Sequence, residues 1–463
     1  MQNKKNFFII VALVLNTNLI FSQGLDETTL KKIREDNIPT IDKGRVNAIS
    51  NNDLKALVVN RETVGKAEHN FKYKVNVTGI TDQKSSGRCW MFTALNSMRP
   101  KVINEKALSN FEFSQNYLYF YDLLEKSNLF LSSTIKFSDK AMDDRTVEWL
   151  LKNPLSDGGV WNSFANLVEK YGLVPKSVMP ETYHSENTSV MDILLSRKLR
   201  EDALLLRSMK EKNVGEKKIM DEKFKMISEI YKMLTYFLGV PPEEFEYRFV
   251  DKNNNIGDYK KYTPKSFFKE LFPNYNSNDY VMLMNDPSRE YYKLYEIEYD
   301  RNVLEGKNWK YINLPVEKLK EYAIKSIKAN EALYASCDVG KYLSKTDGTL
   351  DINNYDFESL LQVDFNMKKA ERIKTFDSGS SHAMLLVAVD TDNEDNATKW
   401  QFENSWGASY GHNGYLTFTD EWFSEYMFRI VVNKTYIDEN TLKILNQEST
   451  LLPPWDPMFS PEN

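Results

Sequence analysis

Cysteine is nearly absent: the 463-residue chain has two, Cys89 and Cys337. Two cysteines cannot build a disulfide framework for a chain of this length. Stability therefore rests on buried apolar surface, for which 41% hydrophobic and 13% aromatic content is ample. A single bridge between the pair is open to the chain, and it would consume a reactive thiol. Histidine is also scarce. Its four copies (His69, His184, His382 and His412) include no two at metal-ligand spacing, which argues against a zinc site; no metal and no other cofactor is expected. Surplus basic charge is missing too, since 60 Lys and Arg stand against 66 Asp and Glu, a net charge of −6. Nucleic acid is therefore not expected as a partner. Beyond residue 22 no apolar run is long enough to cross a bilayer.

The first 22 residues differ. Lys4 and Lys5 precede an unbroken apolar run, Phe7 to Leu15, and the small Ser22 closes a second short apolar patch. This layout predicts a signal peptide at residues 1–22, export to the periplasm or the exterior, and a mature chain starting near Gln23. An uncleaved anchor is the alternative. No cysteine lies near enough to carry a lipid.

Residues 24–75 are charged, with weak periodicity. A helix is predicted from Cys89, with Trp90, Phe92, Leu95, Met98 and Val102 apolar and an end between Pro100 and Glu105, because proline kinks or stops a helix. Phe111 to Lys152 reads as helical and aromatic. Asp157-Gly158-Gly159 is a turn ahead of a helix at Trp161 to Tyr171. Two long helical patterns between Val190 and Leu238 flank a lysine-rich turn. The second stops at Gly239, before Pro241-Pro242. Such a pair (about 190–240) either packs on its own protein or forms an arm for subunit contact. Strand-like runs follow at Tyr280–Met284, Tyr292–Tyr299, Leu333–Val339, Ala383–Val389 and Trp400–Glu403, with a helical pattern at Pro315–Ala329. The chain is therefore α+β, helix-rich first and sheet-rich second, without internal repeats.

The segment Thr81 to Asn96, TDQKSSGRCWMFTALN, carries the chemistry. Cys89 opens the predicted helix, where the helix N-terminus favours a thiolate. Gln83, six positions upstream, has an amide able to hold the oxyanion formed when a thiolate attacks a carbonyl. Far downstream, His382 precedes an apolar strand run, and Asn404 ends another in FENSWG, two residues before Trp406. Taken alone, each has an ordinary structural role: a histidine at a strand mouth, an asparagine in a turn. In the order Cys, His, Asn they form a nucleophile, its base and the group that fixes the base's tautomer. Cys337, inside ALYASCDV, reads as a packed, inert thiol. Gly158 and Gly159 serve backbone geometry, and they would also let an extended peptide lie against the main chain.

These segments resemble papain-like cysteine peptidases, and among them the bleomycin hydrolase and aminopeptidase C family. The resemblance runs through QKSSGRCW, DGGVWNSFANLVEKYGLVPK, MPETYHSENTS, SCDVGK, SHAM, FENSWG and the terminal PWDPM. It implies a papain-like two-lobed fold with helical insertions. Cys89, His382 and Asn404 would be catalytic, and Gln83 would serve the oxyanion. It also implies arms that build a hexamer, and a C-terminal tail (452–463) lying in the active-site cleft. Its terminal carboxylate, here on Asn463, would pair with the free amine of a peptide substrate. The implied activity is a broad-specificity thiol aminopeptidase acting on peptides with free N-termini. Two positions depart from the family pattern. Asp82 stands where asparagine is usual, and the tail ends Phe459-Ser460-Pro461-Glu462-Asn463 instead of in small apolar residues. The altered tail leaves room for an endopeptidase or amidohydrolase with the same triad. A non-catalytic peptide-binding ring is the reading from another class.

Overall fold

The computed structural model describes residues 24–66 and 68–459. The expected leader and Asn463 lie outside the described residues.

The helix at Cys89–Glu105 runs through Pro100 without ending there. It is buried on nearly every side, and the surface it must cover extends to Val102 and Ile103 in its last turns. That burial outweighs the hydrogen bond a proline removes. Around it pack the helices Gln115–Lys136, started by a Ser114 side-chain cap, and Trp161–Tyr171. The two long helices Ser189–Glu211 and Glu216–Leu238 turn Leu195, Leu199, Leu206, Met226, Ile230 and Leu234 into this same core. Their outer face stays exposed, with Ile193 64% and Phe224 74% accessible. The pair thus packs on its own protein along one side only.

The second half supplies eleven strands, and Tyr73–Lys74 the twelfth, of a twelve-stranded mixed sheet among the described residues. Its centre runs in the order Tyr280–Met284, Met427–Asn433, Leu333–Cys337, His382–Thr391, Ala397–Glu403, Tyr415–Thr419. The Met427–Asn433, Tyr415–Thr419 and Lys310–Asn313 strands are not among the runs the sequence predicts. Arg429 interrupts the first, and a charge there reads as surface. In the fold Arg429 is buried, its guanidinium 4.2 Å from the centre of the Trp309 ring.

One register matters most. The antiparallel pairing that sets Leu385 opposite Glu403 brings the start of the His382–Thr391 strand beside the end of Ala397–Glu403. His382 and Asn404 therefore meet. The Cys89–Glu105 helix packs directly against the His382 strand, so the seam between the lobes carries all three candidate residues. Cys337 is fully buried in the neighbouring strand, cross-strand from His382, and no disulfide joins it to Cys89.

Candidate active site

Cys89 is the first residue of its helix, only 2% exposed, and the amide N–H of Ala383 points at its sulfur from 3.5 Å. The thiol thus rests against the peptide that follows His382. The His382 ring bonds through Nε2 to Asn404 Oδ1 at 2.8 Å. The same amide oxygen accepts from the Ser405 N–H at 2.8 Å, which fixes which end of the Asn404 side chain is oxygen. An amide oxygen only accepts, so Nε2 carries the proton and Nδ1 holds the lone pair of the neutral ring. Trp406 covers one face of the imidazole, with ring centres 4.6 Å apart. Burial pushes the His382 pKa down to about 4, and the Asn404 bond pulls only weakly the other way. At neutral pH the ring is therefore an uncharged base beside a thiol.

Gln83 is buried and tied to the same strand end. Its N–H donates to the Ser405 carbonyl at 2.8 Å, and its Oε1 accepts from the Ser405 hydroxyl at 2.6 Å. Its Nε2 donates to the Ser86 carbonyl at 2.6 Å, which uses one of two amide hydrogens and leaves the other for a ligand. Ser405 therefore orients both Gln83 and Asn404. It stood inside the quoted FENSWG motif, yet its reach to Gln83 spans 322 residues of sequence and becomes visible only in the fold. Asp82 pairs with Lys84 at 2.5 Å and accepts that residue's N–H at 2.9 Å. Its charge is answered locally, away from the thiol.

Two further residues have roles the sequence did not reveal, Asp157 having been read only as part of a turn. Asp157 accepts the Gly87 N–H and the Thr188 hydroxyl, each at 2.5 Å, while its carbonyl takes the Trp90 indole N–H at 2.9 Å. It clamps the loop on both sides of Cys89. Arg88, fully buried, pairs with Glu181 at 2.9 Å and spaces the loop from the helices behind it. Gly159 has a packing reason to be glycine: a Cβ there would come within 2.6 Å of the Trp90 ring. The Gly158 carbonyl accepts from Lys126 Nζ at 2.6 Å. No cluster of three or more His, Cys, Asp or Glu able to hold a metal occurs among the described residues.

A buried thiol at a helix start, a neutral imidazole held by an amide, and a second amide tied through Ser405 to the same strand end make an apparatus for acyl transfer through sulfur. Comparison with known proteins decides the family. Residues 25–459 match the Peptidase C1-like family. The chain belongs to that family. It is similar to human bleomycin hydrolase, 41% identical over 422 residues, covering 89% of this chain and 93% of the relative. Aminopeptidase C of Lactococcus lactis subsp. cremoris is 39% identical over 416 residues, with the same coverage. The crystal structure of PepW from Lactobacillus rhamnosis HN001 superposes with a TM-score of 0.90 at 36% identity, covering 95% of this chain and 100% of that one. The protein is accordingly a cysteine peptidase with the papain-like α+β fold.

In this Peptidase C1-like chain the C-terminal segment returns to the seam. Thr450–Leu452 pairs in parallel with Lys293–Ile297 at the sheet edge. Trp455 lies under the Arg145 guanidinium, 4.4 Å from it. Met458 is 1% exposed and packs with Val160, the neighbour of Gly159, and with Ile373 and Phe428. On the other side, a Cβ on Gly379, three residues before His382, would sit 3.5 Å from the Pro457 carbonyl oxygen. Pro454 and Gly158 to Val160 line one cavity of about 170 Å³.

Proposed function

We propose that the protein is a thiol aminopeptidase that removes residues from the free N-terminus of peptides with broad side-chain specificity. Nδ1 of His382 takes the Cys89 proton as the sulfur attacks the first peptide bond. The resulting oxyanion is held by Gln83 Nε2 and the Cys89 N–H. The imidazolium then protonates the leaving amine, and water, activated by the same ring, hydrolyses the thioester. Asn404 keeps the ring turned. Trp406 shields that hydrogen bond from water, and the backbone at Gly158 and Gly159 borders the bound peptide. The observation that carries this reading is the juxtaposition of Cys89, the Asn404-held His382 and the Ser405-oriented Gln83.

Exopeptidase specificity is supported by the tail, whose last described turn runs between Val160, the neighbour of Gly159, and Gly379, three residues before His382. In this reading the Asn463 carboxylate meets the substrate's ammonium and fixes one bond at the thiolate. The leader pattern at residues 1–22 supports export, and the exposed outer face of the arm supports assembly into a hexamer.

The decisive test pairs a free-amine peptide substrate with its N-acetylated twin. The expected result is turnover of the first at least a hundredfold faster by kcat/KM, with both lost in Cys89→Ala. Equal cleavage of the two would replace aminopeptidase by endopeptidase or amidohydrolase. Unchanged turnover in Cys89→Ala would end the thiol mechanism.

A further inference from the structure

The tail could reach the seam by loose packing alone, but two of its residues are held in a way that loose packing does not require. Asp456 is buried, and its carboxylate pairs with Arg289. Arg289 is itself held from behind by fully buried Asp286 at 3.1 Å. Two residues on, the Met458 carbonyl accepts a hydrogen bond from Arg429, and its side chain fills the pocket formed with Val160, Ile373 and Phe428. The Met458 N–H closes back on Asp456 Oδ1 at 3.2 Å. An ion pair, a backbone hydrogen bond and a buried side chain thus act on two residues, Asp456 and Met458, within one turn of chain. Each is specific to one register of the chain, because sliding by one position would put a neighbouring residue in the methionine pocket and part the Asp456 carboxylate from Arg289.

We infer that Asp456 and Met458, gripped by Arg289 and Arg429, form a latch that sets the register of the tail and so selects which bond of a peptide is presented to Cys89. Arg289 and Arg429 are positioning residues: they act through the tail and not on the substrate. The inference rests on the aminopeptidase reading, and it names the residues that enforce it. It also accounts for how a divergent final segment, Phe459 to Asn463, can be tolerated. The latch lies before that segment, so the point from which the last five residues extend is the same whatever their side chains are. Released from the latch, the tail would wander out of the seam, and peptides with blocked amines would enter.

The test uses the full-length protein as wild type, as Asp456→Asn, as Asp456→Asn with Met458→Ala, and as Met458→Leu. The kcat/KM ratio of free-amine to N-acetylated substrate is measured for each. A broad-specificity carboxypeptidase then trims the folded proteins, with the products followed by mass. The expected outcome is a ratio at least tenfold lower in the double variant and intermediate in Asp456→Asn. Met458→Leu, which fills the same pocket, keeps the wild-type ratio. Trimming stops at Met458 in wild type and passes it in the double variant. A wild type that prefers free amines while the variants keep its ratio overturns the latch but leaves the aminopeptidase reading intact. A wild type with no preference overturns that reading itself. Should the double variant not fold, Asp456→Asn carries the same comparison alone.

Discussion

At the residue scale the arrangement turns on His382. An ordinary histidine titrates at about 6.5, whereas burial holds this one down to about 4. The neutral form is therefore the resting form over the whole range above about 4, and it is the form able to accept the thiol proton. As pH falls through about 4 the ring is protonated before any substrate arrives, and the base is lost. The midpoint belongs to the coupled thiol–imidazole pair and not to one group. Alkylation of Cys89 by iodoacetamide should thus hold its rate from neutral pH down to about 5 and decline as a single-proton step centred at about 4. A midpoint near 6.5 would show a solvated ring, contrary to the geometry. The four residues named from sequence, Gln83, Cys89, His382 and Asn404, were legible because each carries a reactive or amide group inside a motif. Ser405, Asp157 and Arg88 were not. A serine, an aspartate and an arginine have too many ordinary uses, and their partners here lie far away in sequence.

At the scale of elements, the question is what keeps the Cys89 helix aligned with the strand that ends in Asn404. Arg99, one helix turn and a half beyond the middle of the first half of that helix's buried face, reaches across to Glu403, the residue before Asn404, at 2.8 Å. The same guanidinium donates to the Gly79 carbonyl at 2.9 Å. Both side chains are buried, and burial raises the Glu403 pKa to about 7 against the opposing pull of Arg99. A carboxyl raised in the fold favours the folded state at low pH, and that contribution is lost as pH rises through about 7. Urea unfolding should therefore show wild type losing stability between pH 5 and pH 8 through this group, and Glu403→Gln should show a flatter dependence. Arg99→Met, which strands the carboxylate, should cost about 3–5 kcal/mol at pH 8. An identical pH slope in wild type and Glu403→Gln would remove Glu403 from the account. The α+β division and most helices were legible, because apolar spacing at a period of 3.6 is a local signal. The central Met427–Asn433 strand was not, because the partners Arg429 finds in its middle, Trp309 and the returning tail among them, lie far away in sequence. The helix end at Glu105 falls within the range read from the sequence, and the burial that carries the helix past Pro100 to the far end of that range is a property of the whole lobe.

For the whole molecule, two apolar surfaces have no cover among the described residues. The helices Glu27–Asn37 and Lys43–Asn51 bury no residue, although Leu30, Ile33 and Val46 lie on them. The outer face of the long helix pair exposes Ile193, Phe224 and Tyr236, the last 75% accessible. Contiguous apolar surface of this kind marks association in a soluble protein, and a closed symmetric ring would bury it on every subunit. A ring also gives the tail a purpose beyond register, since substrates would reach the seam only as flexible, open-ended chains. Native mass spectrometry of the protein produced from the full-length sequence checks both parts of this in one measurement. The expected species is six copies of a subunit lighter than the 54.1 kDa full chain by the mass of residues 1–22. Phe224→Glu with Ile193→Glu places two charges on the outer face of the arm, and at the same concentration it should shift the population to smaller assemblies while each subunit still alkylates at Cys89. A monomer in wild type would mean that these surfaces meet something other than a second copy. A subunit of full mass would remove the leader from the reading while leaving the ring in place.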